Sequence, residues 1–297
     1  MEEINKRISI SILALWRDAA PYINDAFRML EGLEDTHPDI DFEYYFYEND
    51  SKDGTAEKLH GFIYSGRKGH LKKETLNRPK MKSSIRGERM IMMADYRNRL
   101  LNFARPITTD YALLWDSDVV FEMDSIKKHL YYAQELKDFS LLCPNIRQPI
   151  SCQMGGSAKD SYYDVLALRD LSGVQSMYWS DNPFFDEDDR NKYDKGEPVK
   201  VLSGFGGFAF TKGDLMNKAW WDSNGGLEHW HLCEKLSSFG AIYFLPDLRT
   251  RIRSLPDNYN EEGMADILDY QNKMLNLTSW ERGMVENRLT GGEWRLK

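Results

Sequence analysis

Cysteine is scarce in this sequence, and long apolar runs are absent. Three of the 297 residues are cysteines, Cys143, Cys152 and Cys233. An odd count without metal-ligand spacing excludes a disulfide framework and favours a reducing compartment. No apolar run approaches the roughly 18 to 20 residues needed to span a bilayer, and no signal-peptide pattern follows the acidic first residues. We therefore expect a cytoplasmic protein with no membrane span.

Positive charge is not in excess either. The chain has 39 Lys and Arg against 47 Asp and Glu, which leaves a formal net charge of −8. This balance argues against a nucleic-acid-binding surface as the main feature of the protein. With 41% hydrophobic and 29% charged residues, the composition is that of a globular protein. A length of 297 residues suffices for one large α/β domain or for two small ones.

The most informative stretch is residues 110–121. Residues 111–115 form a short apolar run, which is typical of a buried strand in a parallel sheet. The run ends at Asp116 and Asp118, which are separated by one serine. Ligands of open α/β sheets bind at the carboxyl ends of such strands, and two carboxylates suit a hard divalent cation that also binds phosphate. Because Asp-x-Asp is a short pattern, an Asp-rich turn without a ligand explains it equally well.

Two strand–helix units precede this stretch. Residues 7–17 alternate isoleucine with serine before becoming wholly apolar, which predicts a strand, and the spacing of apolar residues from Ile23 predicts a helix ending near Gly32. Residues 42–47 predict a second strand, and residues 56–63 predict a second helix. Two such units in succession predict a right-handed, doubly wound and mostly parallel sheet.

The remaining elements are predicted less sharply. Residues 65–86 are rich in Lys and Arg and predict an exposed loop. Asp124 is a candidate helix cap. The other predictions are helices over residues 88–103, 125–136 and 228–239, strands over residues 140–143, 199–210 and 241–245, a basic segment over residues 249–253 and a helical tail over residues 256–297.

Six motifs follow one another along residues 8–253, and their order and spacing are more specific than any one of them. Together they resemble the GT-A glycosyltransferases, and more narrowly the fungal capsule α-1,3-mannosyltransferases with related viral and bacterial sugar transferases. The motifs are residues 48–55 (ENDSKDGT), 96–98 (YRN), 115–118 (WDSD), 163–164 with 169–173 (YD and RDLSG), 203–210 (SGFGGFAF) and 228–233 (EHWHLC).

The resemblance implies a fold and a division of the chain. The expected fold is α/β of the GT-A type, a Rossmann-like and mostly parallel central sheet flanked by helices, with an irregular acceptor-side half. Residues 1–255 form the expected glycosyltransferase domain. Residues 1–122 would be its nucleotide-sugar-binding half and residues 123–255 its acceptor-side half, followed by the tail at 256–297.

The resemblance also implies a metal site for Mn²⁺ or Mg²⁺. Asp118 is the expected metal ligand, and Asp116 is its partner, which would contact the ribose or a metal-bound water. Many GT-A enzymes place a metal-binding histidine late in the chain, where this sequence has arginines. His231 is a further candidate ligand, although a structural histidine explains it as well.

The remaining site residues are expected to bind the donor or to act in catalysis. Glu228 and Asp222 are the candidate catalytic carboxylates, and Glu228 would be a general base or stabilise an oxocarbenium-like state. Arg97 would reach the pyrophosphate, unless it only pairs with a neighbouring acid. The other candidate donor-binding residues are Glu48 and Asp50 at the nucleoside, Asp53 mainly as a turn or helix-cap residue, Asp116, and Gly206 and Gly207 beside the sugars.

The implied activity is metal-dependent transfer of a sugar from a UDP- or GDP-sugar to a hydroxyl of an oligosaccharide or glycoconjugate. The resemblance suggests GDP-mannose and retention of configuration, while UDP-xylose, UDP-galactose and UDP-glucose remain alternatives. A competing hypothesis is a catalytically inactive nucleotide-sugar or glycan-binding module on the same fold. In that case its exposed tryptophans would stack on sugars, the candidates being Trp179, Trp220, Trp221 and Trp230.

Overall fold

The fold is a mixed β-sheet with helices on both faces. A computed structural model describes residues 7–81, 87–149, 160–176, 181–223 and 227–253. In chain order the elements are β1 (Ile8–Trp16), α1 (Ile23–Thr36), β2 (Ile40–Asn49), α2 (Thr55–Ile63), β3 (Gly69–Glu74), α3 (Gly87–Ala104), β4 (Tyr111–Asp116), β5 (Val119–Phe121), α4 (Ser125–Glu135), β6 (Phe139–Pro149), β7 (Asp160–Tyr162), α5 (Glu187–Asp194), β8 (Val199–Val201), β9 (Phe208–Lys212), α6 (Gly213–Met216), α7 (Glu228–Ser237) and β10 (Ala241–Ile252).

The strand order is β3-β2-β1-β4-β9-β6-β10-β5, with β7 paired to β6 and β8 paired to β10. The first four strands are mutually parallel, and β6 and β10 form a further parallel pair. Strand β9 joins the two groups because it pairs antiparallel with both β4 and β6. The prediction of a parallel α/β sheet at the amino-terminal end is therefore confirmed, and the antiparallel pairings involve β5, β7, β8 and β9.

Strand β1 separates two apolar cores. Ile12 packs in the core beneath α1, α2 and α4, whereas its neighbour Leu13 packs in the core beneath α3, α6 and α7. Successive side chains of a strand point to opposite faces, so a run that is apolar on both faces must lie inside the sheet. This explains why residues 10–14 are all buried.

Two predictions in the amino-terminal half were wrong. Helix α1 does not end near Gly32 but continues to Thr36, with Leu33 buried. Gly32 lies inside the helix where the Met123 side chain packs, since a Cβ there would be 2.9 Å from the Met123 sulfur. The basic segment at residues 65–86 is not wholly a loop, because β3 lies within it and pairs with β2 at the sheet edge. Lysines on an edge strand discourage pairing with another chain, and they obscure the strand pattern.

Two further corrections concern the second half. Strand β10 does not end at Leu245 but runs to Ile252, so the basic segment is its second part, where exposed arginines alternate with buried residues. The predicted strand over residues 199–210 is divided in two, because residues 202–207 with their glycines form a loop between β8 and β9. Asp124 occupies the N-cap position of α4 without a side-chain capping bond, and it pairs instead with Lys128. The predicted tail at residues 256–297 lies outside the described residues.

No helix in the described part of the chain is both long and apolar enough to cross a membrane.

Candidate functional site

A cleft opens at the carboxyl ends of β1, β2 and β4. The strand register aligns Leu15 with Asp116 and Trp16 with Glu48, which brings three loops to one edge of the sheet. Helix α3 covers one side of the cleft. The lining residues are Leu15, Trp16, Arg17, Tyr22, Asn49, Lys80, Met81, Arg89, Met92, Met93, Tyr96, Asp116, Ser117 and Asp118.

Asp116 forms a bidentate ion pair with Arg97. Its two carboxylate oxygens accept hydrogen bonds of 2.6 and 2.9 Å from the guanidinium nitrogens. Arg97 is buried on α3, and its guanidinium lies 5.2 Å from the centre of the Phe205 ring. Burial alone would lower the pKa of Arg97, but Asp116 and Glu228 hold it above its ordinary value. The ion pair with a neighbouring acid, which the sequence analysis gave as the alternative for Arg97, is thus present.

Asp118 lies two residues after Asp116, in the connection between β4 and β5, and is partly exposed. Its backbone carbonyl accepts a 2.8 Å hydrogen bond from the amide of Arg253. Burial, together with the negative charge of Asp116, raises the pKa of Asp118 to about 6. Within the described residues its carboxylate has no side-chain hydrogen-bond partner, so it is the acid of this pair that can accept a ligand.

His231 does not join the acidic pair in a closed metal site. Among the described residues, no three His, Cys, Asp or Glu side chains lie close enough together to hold a metal ion. The His231 Nδ1 atom lies 3.7 Å from Glu234, one turn along α7. A third protein ligand therefore remains a prediction.

The loop after β2 is organised by its own carboxylates. Glu48 is fully buried, and one of its oxygens accepts a 2.8 Å hydrogen bond from the Ser51 amide. Its other oxygen is buried and finds no hydrogen-bond partner in the part of the chain that the structure describes. Asp53 accepts hydrogen bonds from the amide and hydroxyl of Thr55 and from the Ala20 amide. Asp53 thus makes the turn contacts expected of it.

Asp50 turns toward the segment after β3. It has a left-handed backbone, with φ of 59°, and its carboxylate accepts hydrogen bonds from the amides of Leu76, Asn77 and Arg78 at 2.7, 2.8 and 3.2 Å. These bonds, with one from Asn49, outweigh the effect of burial and lower the pKa of Asp50. Asp50 thereby positions the segment that carries Lys80 and Met81 into the cleft.

Glu228 begins α7 and is buried beside Arg97. One of its oxygens lies 3.8 Å from the Arg97 Nε atom and 3.5 Å from the His229 ring, while the other oxygen is buried without a hydrogen bond within the described residues. Burial raises the pKa of Glu228 and lowers the pKa of His229, so the imidazole is neutral. Arg97 therefore links the acid after β4 to the acid at the start of α7.

Gly207 allows the loop before β9 to approach the acidic pair. Its φ is 100°, and an added Cβ would lie 3.0 Å from a carboxylate oxygen of Asp116. The Gly207 carbonyl accepts a 2.7 Å hydrogen bond from the Asp116 amide. A glycine is required here both by the backbone conformation and by the space.

Residues 45–257 match the model of the family described as Cryptococcal mannosyltransferase 1. The chain belongs to this family. All the site residues predicted from the sequence lie within the matched range. A search of curated proteins finds no match.

Solved structures share the fold of this mannosyltransferase-family chain. The Pyrobaculum calidifontis mannosyltransferase PcManGT, solved with GDP-Man and Mn²⁺, is similar with a TM-score of 0.53 and 13% identity, over 86% of this chain and 59% of that one. GalNAc-T7, solved with UDP, GalNAc and Mn²⁺, is similar with a TM-score of 0.53 and 11% identity, over 95% and 50%. Staphylococcus aureus TarS 1-349 is similar with a TM-score of 0.50 and 15% identity, over 94% of this chain and 70% of that one. The chain thus spans between half and three fifths of the first two, and the GT-A fold is confirmed.

Helix α3 also fixes the segment that carries Asp222. The Asn98 side chain exchanges two hydrogen bonds, of 2.7 and 2.9 Å, with the backbone of Trp221. Asp222 follows and is partly exposed. Trp221 and Trp230 are buried, so the hypothesis that they form a sugar-stacking surface was wrong. Trp220 is 48% exposed, and Trp179 lies outside the described residues.

Among the lining residues that the sequence analysis did not single out are Tyr22 and Arg89. Tyr22 precedes α1, and its hydroxyl lies 3.1 Å from the Ser117 hydroxyl. Arg89 lies in the first turn of α3 and lines the cleft together with the acidic pair. Helical spacing could have found it, because Arg89, Met93 and Tyr96 are separated by four and three residues and face the same space.

Proposed function

We propose that this chain is a metal-dependent glycosyltransferase that moves a sugar from a nucleoside diphosphate sugar to a hydroxyl of a glycan. The observation that carries the proposal is the cleft at the carboxyl ends of β1, β2 and β4, into which the carboxylate of Asp118 opens beside the Arg97–Asp116 pair. Membership of a mannosyltransferase family supports the reaction class.

The donor set after β4 fits a hard divalent cation. Asp118 offers carboxylate oxygens that have no side-chain partner among the described residues, whereas both oxygens of Asp116 are held by Arg97. Mg²⁺-type sites commonly use one or two carboxylates and complete the shell with phosphate oxygens and water. Asp118 would hold Mn²⁺ or Mg²⁺, and Asp116 would act beside it. When bound, the cation would supply neutralisation of the charge that grows on the leaving diphosphate.

The other residues of the cleft fit the remaining tasks. Arg89 adds positive charge to the wall that faces the acidic pair, where a diphosphate would need it. Glu228 is the proposed general base, and burial raises its pKa, which makes it a stronger base than an exposed carboxylate. Asp222 is the second proposed catalytic carboxylate. Tyr22 and Met93 add apolar surface to the lining of the cleft.

The family description favours GDP-mannose as the donor, and the acceptor is proposed as an oligosaccharide or glycoconjugate. The solved relatives named above were crystallised with GDP-Man in one case and with UDP in another. We therefore expect one nucleoside diphosphate sugar to raise the melting temperature in the presence of Mn²⁺. A ligand at 100 times its Kd stabilises the native state by about 2.7 kcal/mol.

The decisive test compares Asp118→Ala with Asp124→Ala. Both substitutions remove a carboxylate near the end of β4, but Asp124 is half exposed and pairs only with Lys128 among the described residues. Release of nucleoside diphosphate from GDP-mannose, UDP-glucose, UDP-galactose or UDP-xylose is measured with Mn²⁺ and with a chelator. We expect metal-dependent turnover in the wild type and in Asp124→Ala, and none in Asp118→Ala. Full activity of Asp118→Ala would contradict the proposal, and a wild type that binds donor without turnover would favour the inactive module.

A further inference from the structure

A further carboxylate, Asp164, lies beside Gly206 in the loop before β9 and has no assigned role. It follows β7 and begins a turn in which the amides of Ala167 and Leu168 bond back to the Asp164 carbonyl, at 3.1 and 3.2 Å. One carboxylate oxygen accepts a further 3.1 Å hydrogen bond from the Ala167 amide. Within the described residues, the other oxygen has no hydrogen-bond partner. The Asp164 residue is partly exposed.

The glycine pair before β9 connects Asp164 with the acidic pair. A Cβ added to Gly206 would lie 3.0 Å from the Asp164 Cβ, and a Cβ added to Gly207 would lie 3.0 Å from an Asp116 oxygen. Asp164 and Asp116 therefore flank two consecutive residues of the same loop. Any larger residue at Gly206 would fill the space beside Asp164.

The surroundings of Asp164 point to a polar ligand. Glu228 is close enough to disfavour ionisation of Asp164, and one Glu228 oxygen is itself buried without a partner. The Tyr162 hydroxyl, near Gly206, is also buried and unpaired within the described residues. Burial first, and then Glu228 and Asp116, raise the pKa of Asp164 to about 7, although Arg89 opposes them. Polar groups that are withdrawn from water and left unpaired are costly, unless a ligand satisfies them.

We propose that the free carboxylate oxygen of Asp164 accepts a hydrogen bond from a hydroxyl of a sugar bound between Asp116 and Glu228. The inference rests on the proposed function, and the sugar is either the one being transferred or the acceptor. In its ionised form, which prevails above about pH 7, Asp164 is a stronger acceptor for a hydroxyl than a neutral side chain would be. The residue thus extends the site from the diphosphate end of the cleft toward Glu228.

The test is Asp164→Asn with Asp170→Asn as its matched control. Asparagine keeps an oxygen for the Ala167 amide but replaces the free acceptor by an NH₂ donor. Asp170 lies in the same segment, and its carboxylate accepts hydrogen bonds from Ser172 and Val174 at 2.7 and 2.9 Å, so it is structural. Steady-state kinetics are measured against donor and against acceptor. Binding of the nucleoside diphosphate alone with Mn²⁺ is measured by calorimetry.

We expect Asp164→Asn to lower kcat/KM by a factor of about 10 to 100, as for loss of a hydrogen bond to a charged group. Its affinity for the nucleoside diphosphate should stay within about twofold of wild type, because that ligand lacks both the transferred sugar and the acceptor. A raised KM for the donor would show that Asp164 binds the transferred sugar. A raised KM for the acceptor would show that Asp164 binds the acceptor.

Two results would overturn the assignment. Unchanged kinetics of Asp164→Asn would show that no sugar hydroxyl depends on it, and an equal loss of nucleoside diphosphate affinity would show a merely structural role. Asp170→Asn should change the melting temperature more than kcat/KM. A wild type that transfers no sugar would instead refute the proposed function, and this inference with it.

Discussion

Replacing Arg97 by methionine tests how the cleft holds its charges together. The Arg97 side chain is 6% exposed and lies between the carboxylates of Asp116 and Glu228. Methionine fills a similar volume without charge, so the variant leaves two acids near each other in a poorly hydrated place. Removing one partner of a buried ion pair typically destabilises a protein by about 3 to 5 kcal/mol. We expect the free energy of unfolding to fall by that amount.

The matched control is Arg99→Met on the same helix. Arg99 is 33% exposed and pairs with Glu74 and Asp95 at 3.0 and 2.9 Å. Exposed pairs contribute about 0 to 1 kcal/mol, so this substitution should have a small effect. Both variants are compared with wild type by urea unfolding. The comparison is valid if the slope of the free energy of unfolding against urea concentration, the m-value, is the same for all three proteins.

The double variant Arg97→Met with Asp116→Asn separates charge from packing. If uncompensated charge causes the loss, removing the Asp116 charge should recover about 1 kcal/mol or more relative to the sum of the single effects. The reasoning fails if Arg97→Met is no less stable than Arg99→Met. It also fails if the two substitutions are simply additive.

Three other perturbations follow from the same structure. A carboxyl whose pKa is raised on folding stabilises the protein most at low pH, and this contribution is lost as the pH rises. Between pH 5 and pH 8, the free energy of unfolding of wild type should therefore fall by up to about 3 kcal/mol more than that of Asp164→Asn. Urea unfolding of both proteins at the two pH values measures this difference. Asp50→Ala should abolish hydrogen-exchange protection of the amides at residues 76–78. Gly207→Ala should lower the free energy of unfolding by about 1 to 3 kcal/mol in thermal unfolding, because of its φ and the contact with Asp116.

Each of these has a control. Equal pH slopes in wild type and Asp164→Asn would mean that Asp164 is not withdrawn from water. Asp50→Asn retains one acceptor and tolerates a left-handed backbone, so it should keep part of the protection. Gly61→Ala lies in α2 with open space around its Cβ and should stabilise slightly, by about 0.5 to 1 kcal/mol. An equal loss at Gly61 and Gly207 would contradict the steric argument.

Local patterns predicted the parts of this structure that depend on local chemistry. The apolar run before Asp116 is a buried strand, and Asp53 makes the turn contacts typical of a strand-to-helix connection. The parts that depend on distant partners escaped prediction. Asp50 resembles a ligand-facing carboxylate, but its left-handed backbone turns it toward the segment after β3. The pairing of Arg97 was one of two alternatives, because the sequence does not say which acid an arginine on a helix will meet.

The position of Asp164 could not be predicted from local sequence either. It stands in one of the six motifs, but nothing in its neighbours predicts that Gly206 brings it next to the acidic pair. Strand β3 was missed because its lysines resemble a solvated loop. Such contacts are set by the order of strands in the sheet, which local spacing does not encode.

The way that β10 closes the sheet has a consequence for biosynthesis. Residues 119–121 pair with residues 250–252, and the Asp118 carbonyl receives its hydrogen bond from the Arg253 amide. A nascent polypeptide can pair its first four parallel strands early, but the loop bearing Asp118 acquires its last partner only once residue 253 has left the ribosome. Contacts between such distant positions form slowly. If Asp118 holds the proposed cation, truncated translation products that end before residue 250 should not retain manganese, because their Asp118 loop lacks its pairing with β10.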